Sequence, residues 1–366
     1  MTPKELMLAA LRGEAVDRVP IATYNFHHLS ETFRGPSYRP MLDAWLAAQD
    51  MGVLCKTPHG MEGGRRELFH SATTLQGDTS VTTTMLETPK GPLQQIHAVP
   101  KGQPGYTVEH FIKDDSDVEK LLSLPTTPAR PDMSITKAWY ERLGDKGLCY
   151  VAYGDPMYSV AQWFDFEDFS VRCLVDLPLI LELADREWAR IQAELAMMLE
   201  QSQGYDFLFF TAGPEVATPP MLAPRLFRAT VLPYEKQIVR MIREAGHVCA
   251  IHCHGRVAMV FDDFKEIGPH ALEPLEPPPQ GDISLAEALD RAGGMTLMGY
   301  IQDQDLYTAR PGEMRAKVRE ICELVKARGG RGYIMTSSAT PYMDPPPADF
   351  QRNYIEYIQA AQELGA

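Results

Sequence analysis

Basic residues are scarce in this sequence, which sets 35 Lys and Arg against 49 Asp and Glu over 366 residues, a formal net charge of −14. A protein with this excess of negative charge does not suit general binding to nucleic acid or to anionic membranes, because both require a basic surface. We therefore expect no nucleic acid and no membrane as partners. The net charge excludes no class of small ligand, since a pocket can carry a different charge from the surface around it.

Cysteine is also infrequent, and the six cysteines form no Cys-x-x-Cys pair and no regular spacing. This pattern excludes a disulfide scaffold and a cysteine-rich zinc module. No apolar run is long enough to span a bilayer, and the first residues, Met1–Met7, lack the apolar core of a signal peptide. The sequence predicts a cytoplasmic protein with reduced thiols.

A glycine-rich turn of the dinucleotide-binding type is missing as well, which disfavours a doubly wound open sheet. Eight short apolar segments instead alternate with helical stretches, as is typical of an α/β TIM (β/α)8 barrel. We predict a single TIM-barrel domain over residues 1–366, with strands at 19–24, 53–56, 148–153, 207–211, 248–252, 271–275, 296–300 and 332–336.

One stretch departs from this alternation. Residues 78–112 contain three Thr-rich segments with strand-like alternation, separated by turns such as Pro89-Lys90-Gly91-Pro92. We expect a small antiparallel β insertion there.

The most informative segment is 248–255, Val-Cys-Ala-Ile-His-Cys-His-Gly. Residues i and i+2 of a strand point to the same face, so His252 and His254 are expected to project together. Two imidazoles at the end of a buried strand suit a zinc ion. The alternative is a pair of histidines satisfied by hydrogen bonds.

Carboxylates stand near the ends of neighbouring strands: Glu215 follows the fourth, and Glu273 and Glu276 belong to the sixth. Catalytic groups of TIM barrels lie at these C-terminal ends. Zinc needs at least three ligands, and we predict Glu215 as the third, with Glu273 or Glu276 as the next candidates. The alternatives are a capping carboxylate for Glu215 and a charged rim for the other two.

The barrel mouth is expected to carry aromatic and hydrogen-bonding side chains, which suits a small, partly apolar ligand. The predicted substrate-binding residues are Tyr24, Asn25, Phe26, His27, Tyr153, Asp155 and Tyr342.

Segments spread over nearly the whole chain resemble a known family: Thr2-Pro3-Lys4-Glu5, Leu11-Arg12-Gly13-Glu14, Asp17-Arg18-Val19-Pro20-Ile21, Glu87-Thr88-Pro89-Lys90-Gly91, residues 224–234, and His252-Cys253-His254-Gly255. They are similar to the uroporphyrinogen decarboxylase superfamily. This resemblance implies a TIM barrel, and it implies either a decarboxylase or a zinc methyltransferase that exchanges methyl groups with a corrinoid protein.

The first strand separates these two branches. True uroporphyrinogen decarboxylases follow it with an Arg-Gln-Ala-Gly-Arg type of segment that grips substrate carboxylates. This chain has Asn25-Phe26-His27-His28-Leu29 there, with no arginine before Arg34. An enzyme for a tetrapyrrole with many carboxylates requires such cations. We therefore expect the methyltransferase branch.

That branch typically has His-x-Cys at the strand end and a second Cys near the last strand. Here His254 stands in place of the first Cys and Ser337-Ser338 in place of the second. This departure implies zinc with nitrogen and oxygen ligands, which is a better Lewis acid than a thiolate site and suits polarisation of an ether oxygen.

The resemblance thus implies demethylation of a small methylated, and more specifically methoxylated, donor. The methyl acceptor would be a corrinoid carried by a separate partner protein. Glu215, Glu273 and Glu276 are the expected catalytic carboxylates, the last two protonating or orienting the departing oxygen. The alternatives are methyl transfer from a corrinoid to a thiol or folate, and a lyase that decarboxylates a small acid.

Overall fold

Eight parallel strands form a barrel in the computed structural model, which describes residues 1–365. Each strand pairs with its neighbours in chain order, and a parallel bridge between Ile21 and Met335 joins the two ends of the sheet. The predicted TIM barrel is therefore confirmed. The strands are β1 Ala22–Tyr24, β2 Gly52–Lys56, β3 Leu148–Gly154, β4 Leu208–Ala212, β5 Val248–His252, β6 Ala271–Leu275, β7 Thr296–Ile301 and β8 Tyr333–Ser337.

Strand alternation divides the core into two layers. Side chains such as Leu54, Tyr150 and Phe210 fill the barrel interior, and the N-terminal helix Pro3–Leu11 packs its Met7 against them. The intervening side chains pack outward against the helices. The N-terminal helix thus covers the side of the barrel opposite the C-terminal strand ends, where TIM barrels carry their sites.

The helices surround the barrel in the predicted alternation. Two helices, Pro224–Thr230 and Leu232–Glu244, meet at Val231, because Pro233 cannot donate a backbone hydrogen bond. Within residues 1–365, no helix combines the length and apolarity needed to cross a membrane. The remaining α-helices are Arg39–Ala47, Asp115–Leu122, Ser134–Leu143, Pro156–Ala161, Phe166–Val175, Leu177–Gln201, Pro224–Thr230, Leu232–Glu244, Phe261–Ile267, Leu285–Arg291, Asp303–Thr308, Glu313–Lys326 and Ala348–Leu364.

The β insertion is a four-stranded antiparallel meander that starts earlier than predicted. Its strands are Phe69–Gln76, Thr79–Leu86, Leu93–Pro100 and Tyr106–Glu109. The first strand is exposed along most of its length, so it lacks the apolar alternation that marks a half-buried strand. A separate two-stranded sheet pairs Gly60–Glu62 with Arg130–Asp132.

Candidate functional site

His252 and Glu273 form a hydrogen-bonded pair on the inner face of the barrel. The register places His252 of β5 opposite Ala212 of β4 and opposite Glu273 of β6, so the two functional side chains leave the sheet at one level. The Nδ1–H of His252 donates to Oε2 of Glu273, whose side chain is fully buried. Oε1 of Glu273 is also buried and has no hydrogen-bond partner within residues 1–365.

A second pair lies just beyond the strand end. Nδ1 of His254 is 3.4 Å from Oε1 of Glu276, and the backbone N–H of Gly255 donates to the other oxygen at 2.7 Å. Burial works against the protonated form of His254, but its hydrogen bond to Glu276 and the charges of that carboxylate and of Glu273 and Glu215 raise its pKa. Burial would raise the pKa of Glu276, yet His254 and Gly255 lower it on balance. Glu276 is therefore an ionised acceptor.

The two histidines are close to each other, with ring centroids 4.6 Å apart in an edge-on arrangement. In both pairs the carboxylate engages Nδ1, which fixes the imidazole tautomer and leaves Nε2 as the nitrogen with a free lone pair. Carboxylates hold metal-binding histidines in this way in many zinc sites.

Aromatic rings enclose His252 on the inner face. The Tyr24 ring lies nearly parallel to it at 6.3 Å, and Phe210 is 5.4 Å away. Asn25 donates from Nδ2 to the Tyr150 hydroxyl (2.9 Å), which in turn donates to the Tyr24 hydroxyl (3.1 Å). Burial raises the pKa of Tyr24, so this phenol keeps its proton at neutral pH.

Glu215 lies close enough to influence both His254 and Asp155 electrostatically, and its Oε2 is buried without a hydrogen-bond partner among residues 1–365. Across the described part of the chain, however, no three His, Cys, Asp or Glu side chains converge as a ready metal-binding cluster. The structure thus brings the two predicted histidines together, while Glu215 stands near them without completing a ligand set.

Two of the predicted substrate contacts, Phe26 and His27, are buried. Phe26 is fully buried against Phe33 and Tyr354, at 4.8 and 5.1 Å between ring centroids. His27 is 3% exposed, packs edge-on against Trp139, and has a pKa lowered to about 4, chiefly by burial. Both side chains point into the packing outside the barrel, so neither reaches the mouth.

Asp155 is buried and caps the helix Pro156–Ala161: one carboxylate oxygen accepts from the backbone N–H of Tyr158, and the other is unpartnered within residues 1–365. Burial, reinforced by Glu215, raises its pKa to about 7. The Tyr153 hydroxyl meets the hydroxyl of Thr211 at 3.1 Å, while its ring reaches a cavity beside the barrel. Tyr342 is exposed on the rim against Tyr307.

Sequence reasoning missed two residues of this region. Tyr150 fills the barrel beneath Tyr24 and holds its hydroxyl in place, and Lys56 ends β2 with its side chain exposed. Strand alternation could have found both, since each lies an even number of residues from an inward-facing apolar residue. Glu235 was missed too, and it is fully buried with both oxygens unpartnered in the described chain. A glutamate within a helix carries no sequence signal for such burial.

Asp303 at the end of β7 provides a test of the electrostatics around the barrel. It is buried, and burial raises its pKa to about 6. The folded protein therefore holds this proton while the unfolded chain releases it from about pH 3.8 upward, so stability falls between pH 4 and pH 6 and levels off above. Asp303→Asn is expected to gain about 2 kcal/mol over wild type as the pH rises through this window, measured by urea unfolding.

The matched control for this experiment is Asp78→Asn, because Asp78 is exposed in a turn of the meander. Its stability relative to wild type should not change over the same pH range. A constant difference between Asp303→Asn and wild type from pH 4 to pH 7 would contradict the burial argument.

Comparisons with known proteins can now be set beside this geometry. The family model described as uroporphyrinogen decarboxylase (URO-D) matches residues 204–355, a range that contains both His–Glu pairs. No curated protein matches the chain.

Among solved structures, a methyltransferase from Methanosarcina mazei aligns over 100% of both chains with a TM-score of 0.62 and 16% identity. At this identity the likeness shows the fold alone. A 3-keto-D-glucoside 4-epimerase from E. coli has a TM-score of 0.38 at 13% identity and covers 62% of this chain and 84% of its own. A D-psicose 3-epimerase from Clostridium cellulolyticum H10 has a TM-score of 0.37 at 10% identity, covering 68% of this chain and 84% of its own.

The TM-scores of the two epimerases are too low to support an argument. The family match, by contrast, falls on the strands that carry the histidines and their carboxylates, and the full-length likeness covers the barrel as a whole. Residues 204–355 are thus similar to the uroporphyrinogen decarboxylase family, and the whole chain shares the fold of the Methanosarcina methyltransferase.

Proposed function

We propose that this protein is a zinc-dependent methyltransferase that moves a methyl group from a small methoxylated donor to a corrinoid protein. The observation that carries the proposal is the pair of imidazoles at the barrel mouth, each held at Nδ1 by its own carboxylate. The name of the structurally similar Methanosarcina chain, a methyltransferase, agrees with it.

The side chains at the mouth supply some of the ligands that a zinc ion needs. His252 and His254 would hold it through Nε2, and Glu215, with its buried and unpartnered Oε2, is the proposed third ligand. Because Glu215 makes no hydrogen bond that must be broken among the described residues, its carboxylate is available for this role. Zinc bound with nitrogen and oxygen ligands supplies Lewis acidity toward an ether oxygen.

The protein's own residues would then perform three tasks. Glu273 and Glu276 orient the imidazoles, and because Glu276 is ionised it accepts hydrogen bonds instead of protonating the donor. Tyr24 stacks beside His252 and receives a hydrogen bond from Tyr150, so its own proton remains free to be donated.

The reaction balances with Tyr24 as the proton donor. The acceptor, a cobalt(I) corrinoid, attacks the methyl carbon; the carbon–oxygen bond breaks with its electron pair remaining on oxygen, and that oxygen takes the Tyr24 proton. Solvent restores the proton to Tyr24 afterwards. The partly buried Asn25–Tyr150–Tyr24 chain of hydrogen bonds positions this hydroxyl before the donor arrives.

The direct test is to mix the protein with a cobalt(I) corrinoid and a panel of methoxylated compounds, and to follow the absorbance of methylcobalt. We expect methylcobalt and the demethylated alcohol in equal amounts. Tyr24→Phe should slow the transfer by about 10²-fold while binding of the donor changes little.

A second candidate is decarboxylation of a small acid, which the description of the matching family favours. The same assay separates the two functions. Release of carbon dioxide without methylcobalt would assign the lyase, and methylcobalt without carbon dioxide would exclude it. Methylation of a thiol or folate by a methylcorrinoid is tested by running the assay in reverse.

A further inference from the structure

A cavity of about 480 Å³ lies beside the C-terminal end of β3, within the size range of small-molecule sites. It is bounded by the segment 59–69 on one side and by the helix Leu177–Gln201 on the other. Ala152 and Gly154 of β3 form the part that adjoins the barrel.

The cavity has apolar walls suited to a planar molecule. The rings of Phe69 and Trp163 lie at 18° to each other, with centroids 6.4 Å apart. The helix contributes Ile191, Leu195 and Met198 to the lining. Such walls favour a flat, apolar ligand body over a sugar or another fully polar ligand.

The charges of the lining favour an anion. Arg65 pairs with Glu187, and Arg190 pairs with Glu187 and Glu194, so these four residues balance one another. Arg66 also lines the cavity, and its guanidinium has no ion pair or hydrogen bond within residues 1–365.

His59 also lines the cavity, and its pKa is lowered. Burial lowers this pKa most, the charges of Arg66 and Lys56 lower it further, and the charge of Glu194 works against them. His59 is therefore neutral at pH 7, which leaves Arg66 as the lining cation without an ion-pair partner within residues 1–365.

The part of the cavity that adjoins the barrel is level with His252 in the strand register, since Gly154 lies opposite Ala212 and Ala212 lies opposite His252. Phe210 lies opposite Ala152 with its ring centroid 5.4 Å from that of His252, and the Tyr158 ring lies against Gly154. Aromatic rings therefore stand beside the cavity at the level of the imidazole.

We propose that this side cavity binds a planar, apolar molecule with a carboxylate. The carboxylate lies at Arg66, and the body lies between Trp163 and the helix Leu177–Gln201. This binding does not depend on the proposed methyl transfer.

The binding test compares 4-methoxybenzoate with its neutral isostere 4-methoxybenzamide by titration calorimetry. The carboxylate is expected to bind about tenfold more tightly, and Arg66→Gln should abolish this preference. Arg319→Gln is the control, because Arg319 is exposed on the distant helix Glu313–Lys326. Equal affinities of the two probes in wild type, or an unchanged preference in Arg66→Gln, would overturn the inference.

A fluorescence measurement tests the location. Binding of 4-methoxybenzoate should quench tryptophan emission in wild type, and Trp163→Phe should remove the quenching while calorimetry still detects binding, since a ring remains in the wall. Quenching that persists in Trp163→Phe would place the ligand elsewhere. If binding behaves as expected but no probe yields methylcobalt, the proposed function fails and the side cavity stands.

Discussion

Replacing His252 by alanine is expected to remove stoichiometric zinc from the purified protein and to lower methyl transfer by roughly a thousandfold, the scale of several kcal/mol that metal polarisation contributes. His252 is one of two imidazoles offered at the barrel mouth, and its Nδ1 is already held by Glu273. Without His252, only His254 and the proposed third ligand Glu215 remain, which is fewer than the three ligands that zinc needs. Metal analysis after purification without chelators measures this.

A substitution of Glu273, the carboxylate that holds His252, should weaken zinc binding less than the loss of His252 itself. Glu273→Gln keeps the size of the side chain but removes the charge that orients His252, so zinc affinity should fall by about 10–100-fold without being lost. His70→Ala is the control, because His70 is exposed on the meander, and it should bind zinc like wild type. Wild-type protein that carries no zinc and gains no activity from added zinc would refute the metal site. The two histidines would then be a hydrogen-bonded structural pair.

The fold could be predicted because each strand and helix of the barrel has its own recognisable pattern of apolar residues. The strands Val248–His252 and Ala271–Leu275 have the boundaries expected from their apolar residues alone. The strand Phe69–Gln76 could not be found in this way, since it is exposed and is ordered by pairing with Thr79–Leu86. Its stability comes from a neighbour along the chain, which a pattern of burial does not reveal.

Site residues on regular strands could be placed from the alternation of side chains between the two faces of the sheet. Residues beyond the end of a strand could not. His252 faces the barrel interior as alternation requires, and Glu273 meets it through the register of β5 and β6. Asn25, in contrast, has a positive φ of 56°, which ends the alternation of β1 directly after Tyr24. Phe26 consequently turns into the outer core, although it was predicted among the residues of the mouth.

The pairing of each histidine with its own carboxylate was not predictable from spacing. The sequence placed Glu273 and Glu276 near the histidines as candidate acids or ligands, but their attachment at Nδ1 depends on side-chain directions that only the folded barrel defines. This geometry changes their expected role from proton donors to groups that orient the imidazoles.

Gly213→Ala is expected to destabilise the protein by about 3–5 kcal/mol, because the substitution combines backbone strain with a steric clash. Gly213 has a φ of +128°, which side chains rarely adopt, and it connects β4 to the turn that carries Glu215. A Cβ at this position would lie 2.2 Å from Cβ of Tyr158, an atom fixed to the backbone of the helix Pro156–Ala161. The helix or the turn must therefore move, and urea unfolding measures the cost.

Gly204→Ala isolates the backbone contribution to that cost. Gly204 also has a positive φ, +83°, but a Cβ there meets no atom within 4 Å. Its substitution should cost only about 1 kcal/mol, the usual price of a left-handed conformation for alanine. The difference between the two variants then measures the contact between the Glu215 turn and Tyr158. If both variants lose the same small stability, this contact is not tight, and the turn that carries Glu215 is free to shift without disturbing the helix capped by Asp155.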